Sequence, residues 1–153
     1  MLLNNLLIGV LALLLALALY IRLAPINADR WHKTFYPRDL GVYTQVNGCQ
    51  VVRKVEDDAV LAQLDAIIRA TPRTTVVAGR VEDGMITYMT RSRLWGFPDF
   101  ITVSVGPDDR FEGYDGLLLK IDGRLRFGRS DLGVNRARIE GWLAQLDAEG
   151  GGA

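Results

Sequence analysis

From Met1 to Ile21 the chain carries no charged side chain, and Leu6 to Ile21 is apolar apart from Gly9 and Tyr20. A helix of that length approaches the ~30 Å hydrocarbon core of a bilayer. A soluble helix that is apolar on every face has to be enclosed all round, and a chain of 153 residues is too small to do that. The segment therefore reads as membrane-spanning, stopped by Arg22 and broken by Pro25. The competing reading is an export signal cleaved near Ile26-Asn27-Ala28, but Asn4 and Asn5 stand where a basic region belongs. Arg22, Arg30 and Lys33 weigh towards a cytoplasmic domain, whereas the similarity to an export signal weighs towards the periplasmic side of a bacterial inner membrane. The exported side is the expectation adopted.

The rest of the chain has room for one domain. Its 18 basic and 18 acidic side chains are interspersed, so no basic field exists to attract nucleic acid. Cys49 is the only cysteine and His32 the only histidine, which excludes an internal disulfide, a thiolate zinc cluster and a paired-histidine metal site. No cofactor is expected. Catalysis finds little support: no Ser-His-acid set assembles around His32, Cys49 lacks a second histidine to activate it, and only their presence recommends Asp99 and Asp131 as a hydrolytic pair.

Residues 24–48, with Pro25, Pro37, Gly41 and Gly48, show no sustained period and read as a juxtamembrane linker. Trp31, Phe35, Tyr36 and Tyr43 within it either lie at the membrane interface or pack on the domain. Residues 49–55 suit a first strand. Val60, Leu61, Leu64, Ile67 and Ile68 share a helical face, with Asp57 or Asp58 as cap and Pro72 as stop. Residues 74–80 and 85–92 form β-rich runs around a turn at Glu82-Asp83-Gly84, and Ile101, Val103 and Val105 alternate as in a half-buried strand. Gly106-Pro107-Asp108-Asp109 turns the chain. Leu117, Leu119 and Ile121 share the next face, which Leu125 and Phe127 continue if Asp122-Gly123 is a bulge. Ile139, Trp142, Leu143 and Leu146 mark a final helix. The expected fold is α+β: an antiparallel sheet of about four to five strands with two helices packed on it, plus one N-terminal transmembrane helix. The expected organisation is anchor 1–23, linker 24–48, domain 49–148 and flexible tail 149–153.

Two blocks carry a family resemblance. Phe127-Gly128-Arg129-Ser130-Asp131-Leu132-Gly133-Val134-Asn135-Arg136 resembles the signature of the family called domain of unknown function 1499, and Arg91-Ser92-Arg93-Leu94-Trp95-Gly96-Phe97-Pro98-Asp99 resembles its second block. Thr71-Pro72-Arg73 and Trp31-His32 extend the similarity over roughly residues 30–146, while Leu125 replaces a common hydroxyl residue and residues 35–53 match little. The resemblance implies one compact α+β domain, often membrane-attached or exported. It brings no catalytic residues.

Three constellations stand out. Ser130 and Asp131 suit a helix start. Counting back from Ile139 sets Asn135 and Arg136 towards the buried stripe, so that Arg136 either pairs with Asp99 or Asp131 as a polar staple or joins Arg129, Ser130 and Asn135 in an anion site at the helix start. Tyr88, Trp95, Phe97 and Phe100 suggest an apolar pocket, or an ordinary core. The leading functional expectation is a membrane-anchored accessory or interaction domain, with the lipid bilayer and a membrane protein as partners. Lipid or small-anion binding is the alternative, and a hydrolase comes third.

Overall fold

The computed structural model describes residues 1–37, 39–108 and 114–150. Helix α1 (Leu2–Leu23) is long and apolar enough to cross a membrane, and of its residues only Ile21 is buried against the rest of the chain. A short helix α2 (Ala28–Trp31), capped by the Asn27 side chain on the Arg30 amide, leads into the domain.

Among the described residues six strands form one antiparallel sheet in the order β1-β2-β6-β5-β4-β3: β1 (Gly41–Gln45), β2 (Gly48–Val55), β3 (Thr74–Arg80), β4 (Met85–Arg91), β5 (Pro98–Gly106) and β6 (Leu117–Leu125). The α+β class is as expected and the strand count is not. The additional strand is β1, drawn from the stretch read as linker. Its alternation is too short to show in sequence, and it exists because the turn at Val46-Asn47 folds it back along β2 as an edge strand.

Residues that alternate along the strands serve two different layers. On one face Val51, Ile86, Tyr88, Ile101, Val103, Leu119 and Ile121 form the core with helices α3 (Ala59–Ala70) and α4 (Val134–Gly150). Helix α3 begins where the Asp57 carboxylate accepts the Ala59 amide and ends before Pro72. The Trp142 indole N–H on α4 donates to Thr71 Oγ1 at 2.8 Å, tying the two helices together. Gly123 lies under α4: a methyl group there would stand 3.0 Å from Ile139 Cδ1 and 3.2 Å from Asn135 Cβ. The strand passes through Asp122-Gly123 without a register shift, and the sheet's irregularity lies instead between Val76 and Ala78. Between β3 and β4 a 3-10 turn, Val81–Asp83, ends on Gly84 at φ +69°.

The opposite face is mixed, with Val52, Met89, Phe100 and Leu118 buried among Thr87, Thr102, Ser104, Lys120 and Asp122, and residues 24–36 cross it. Trp31 stacks on Phe100 with ring centroids 4.0 Å apart and planes 10° apart. Thr34 meets Ser104 Oγ at 3.2 Å. The proton assignments beneath this strap follow by elimination. Thr102 has one hydroxyl proton and gives it to the Trp31 carbonyl, so Thr102 Oγ1 accepts from Arg124 Nη2 at 2.7 Å and from Thr87 at 2.9 Å. Thr87, its proton spent, accepts from His32, whose Nδ1 lies 3.0 Å away and carries hydrogen. Asp122 completes the row, accepting from Gln50 and lying 3.1 Å from Arg124 Nε. Packing on the domain is therefore what Trp31 does, and His32 is held by a hydroxyl chain.

Of the expected turn at residues 106–109, Asp109 lies outside the described residues, as do 151–153 of the expected tail; α4 extends through Gly150.

Candidate functional site

Register places three connections at one end of the sheet. Thr74 pairs with Thr90, Arg91 with Pro98 and Asp99 with Leu125, so the α3–β3 junction, the β4–β5 loop and the β6–α4 loop converge. The β1–β2 turn joins them, Val46 and Asn47 carbonyls accepting the amides of Asp131 and Leu125. The C-terminal end of α1 docks at the same place. Arg91 donates to the carbonyls of Ile21 and Arg22, and Arg126 to those of Ala24 and Pro25. These cations sit where the unsatisfied carbonyls of a helix end concentrate negative charge. Tyr20 meets the Phe127 ring edge-on at 6.1 Å, and a side chain at Gly96 (φ +72°) would strike the Arg22 guanidinium.

An open cavity of about 520 Å³ lies in this end, with Phe97, Leu125, Phe127, Leu132 and Val134 forming its apolar wall and Ser92, Asp99, Ser130 and Asp131 its polar points. The β4–β5 loop is closed by Ser92, whose Oγ accepts the Phe97 amide at 2.9 Å. The β6–α4 loop is closed by Asp131, whose two carboxylate oxygens accept the amides of Gly133 and Asn135, each at 3.0 Å. Ser130 Oγ accepts the Leu132 amide. Leu132 holds φ +52° and Arg73 φ +62°, left-handed backbone at non-glycine residues, which tends to gather where loops are shaped for binding.

The polar staple exists with a different arginine. Arg138 Nη1 lies 3.3 Å from Asp99 Oδ2 and donates to Asn135 Oδ1 at 2.8 Å. Arg136 is exposed, bonded to Glu140 at 2.7 Å and to Thr44 of the edge strand. Both arginines flank the buried stripe of α4 at similar angles. Arg138 faces the middle of the sheet, whereas Arg136 faces its β1 edge and water. Of the remaining anion-site candidates, Ser130 lines the cavity, Arg129 is exposed and Asn135 is buried over Gly123.

The aromatic set does not form one pocket. Tyr88 is in the helix-facing core with its hydroxyl donating to Asp65 at 2.7 Å, and Phe100 is under Trp31 on the opposite face, because neighbouring positions in strand register alternate sides. Only Phe97 reaches the cavity, while Trp95 is exposed. Sequence reasoning missed Leu125 and Phe127 as cavity wall, although both continue the apolar alternation of β6. It also missed Arg138, for which spacing alone carried no signal.

A model of the family described as proteins of unknown function, DUF1499, matches residues 37–146. The chain belongs to that family. No curated protein matches it. Within this DUF1499 domain the resembling blocks, residues 71–73, 91–99 and 127–136, are the loops that converge at the α1 end, and no group of three or more His, Cys, Asp or Glu side chains suited to a metal ion occurs among the described residues.

Burial raises the pKa of Asp99, opposed by the charge and hydrogen bond of Arg138. Burial likewise raises Asp122, opposed by Arg124 and Gln50. A carboxyl raised on folding favours the folded state when protonated; that contribution is present below the ordinary carboxylate range and is lost as pH rises through the raised value. In thermal melts across the acid range, the wild-type margin over Asp99→Asn should narrow as pH rises from below that window towards neutrality. A margin that widens instead would mean that Asp99 is held ionised.

Proposed function

We propose that this DUF1499 protein is a membrane-anchored accessory domain that takes the acyl chain of a membrane lipid into the cavity at its α1 end. The observation that carries this reading is the position of the cavity: its Phe127 wall touches Tyr20, two residues before the stop of the apolar helix, so its mouth opens at the depth of the bilayer surface. Leu94, Trp95 and Leu132 are exposed at the same end, and apolar side chains grouped this way suit an interface more than water. An open, mostly apolar cavity with a few polar points is the common form of a small-molecule site.

If α1 is an uncleaved anchor, the full-length chain should stay in the membrane fraction through high-salt and alkaline washes; recovery in the wash would remove the anchor from the proposal. The domain is assigned to the exported side. Cys49 cannot report it, because the thiol is buried in the core and burial pushes its pKa up. A cysteine placed at exposed Val46 should react with a membrane-impermeant maleimide in spheroplasts, and labelling only after lysis would reverse the assignment.

The lipid reading is tested by extracting the full-length chain in mild detergent and weighing what remains bound. Val134→Glu puts a carboxylate at the cavity rim, at a helix start that tolerates acids. The wild type should retain lipid and the variant should not, at an unchanged melting temperature. A stoichiometric protein in place of lipid would assign this end of the domain to a membrane protein partner.

A further inference from the structure

We propose that a cleft formed by Arg22, Arg73, Arg91 and Arg93 beside the C-terminal end of α1 binds the phosphate of a phospholipid head group. The inference rests on the acyl-chain reading and extends it to the other end of the same molecule. The cleft has a volume of about 330 Å³ and, among the described residues, no carboxylate in its lining. Among the described residues none of the four guanidiniums has an ion-pair partner, whereas Arg53, Arg69, Arg80, Arg124, Arg136 and Arg138 do; Arg30, Arg126 and Arg129 also lack one, but they do not line the cleft. Burial and the like charges of Arg22 and Arg126 weaken the hold of Arg91 on its proton, the state an anion would relieve.

The donors are arranged for an incoming acceptor. Arg91 spends its amino groups on the carbonyls of Ile21, Arg22 and Gly96, which fixes α1 and thereby Arg22, while Arg73 spends only Nε, on the Arg91 carbonyl. The terminal amino groups of Arg73, and the guanidiniums of Arg22 and Arg93, make no hydrogen bond among the described residues. A planar guanidinium presents paired N–H groups to two phosphate oxygens. Depth agrees with this chemistry, since Arg22 is the first charge after the apolar run and lies where lipid phosphates begin. Ser92 lines both this cleft and the apolar cavity, so the two are adjoining compartments, one suited to a charged head and one to a hydrocarbon tail.

The test uses the full-length chain in maltoside micelles offered an equal mixture of dioleoyl phosphatidic acid and dioleoylglycerol, with retained lipid measured by native mass spectrometry. The two lipids share chains and differ in the phosphate. Wild type should favour the phosphatidic acid about tenfold or more, the scale of one lost charge-assisted contact. Arg73→Gln with Arg93→Gln should bring the ratio to about one while total lipid is kept; if the pair folds poorly, Arg93→Gln alone, at an exposed side chain, should lower it by part of that amount. Equal retention by wild type overturns the phosphate site and leaves the cavity standing. Retention of neither lipid overturns the cavity reading and this inference with it. Stabilisation by inorganic phosphate, lost in the double variant and without preference between the lipids, would give the cleft to free phosphate and overturn the head-group assignment.

Discussion

Arg138→Met is expected to destabilise the domain by roughly 3–5 kcal/mol, the scale for breaking a buried pair by removing one partner. The side chains of Arg138 and Asp99 are 14% and 10% exposed, so water cannot replace the guanidinium. Asp99 would be left with burial, which already raises its pKa, and without the two effects of Arg138 that lower it. The loss should therefore deepen as pH rises and the stranded carboxyl is forced to ionise, and shrink in acid, where it stays protonated. Asn135 would lose the donor to its Oδ1 in the same step. Arg136→Met, by contrast, removes an exposed pair with Glu140 and should leave the melting temperature unchanged. Denaturant titrations of both variants at neutral and acid pH check the assignment. If Arg136→Met is the destabilising change and Arg138→Met is silent, α4 is rotated from the position described.

That contrast shows what spacing can and cannot reveal. The stripe of Ile139, Trp142, Leu143 and Leu146 was legible because burial selects one helical face, and all four are buried. Which flank of that stripe meets the middle of the sheet depends on strand order, and strand order follows from long-range pairing that no local period records. The central strands were legible for the same reason as the helices: Ile101, Val103 and Val105 alternate against Thr102 and Ser104. Strand β1 was not, since Val42 and Tyr43 lie on an edge and an edge strand needs little apolar pattern.

The site was legible in part. The three blocks that carry the family resemblance were visible as sequence, but their convergence at the end of α1 comes from the antiparallel register of β3 to β6 and could not be counted off the chain. The arginine cleft was hidden most completely. Its members are separated by up to 71 positions, and Arg22 joins the other three only because α1 docks on Arg91 at the end of β4. Charge balance over the whole chain masked this concentration, since carboxylates elsewhere offset it.

Residues 24–36 behave as part of the fold, and Phe100→Ala should show it with a loss of roughly 3–5 kcal/mol, the range for removing a buried aromatic side chain. Phe100 is fully buried, and its cover is the Trp31 ring stacked at 4.0 Å. Truncation leaves a cavity beneath the Trp31 ring and removes the stack that holds it, so the strap should loosen. Trp31→Ala removes the same stack from the other side. It should cost less, because Trp31 is only partly buried, yet it should free the strap more completely: the Trp31 carbonyl that accepts from Thr102 and Arg124 would no longer be pinned by its own ring. Limited trypsin digestion reads this directly at Arg30 and Lys33, which the intact strap should protect and both variants should expose. The hydroxyl chain from Arg124 to His32 would open to water in the same event, because each of its links lies beneath the strap. Rapid cleavage of the wild type at Arg30 and Lys33, equal to that of the variants, would mean that the strap is detached in solution and that this face of the sheet is free.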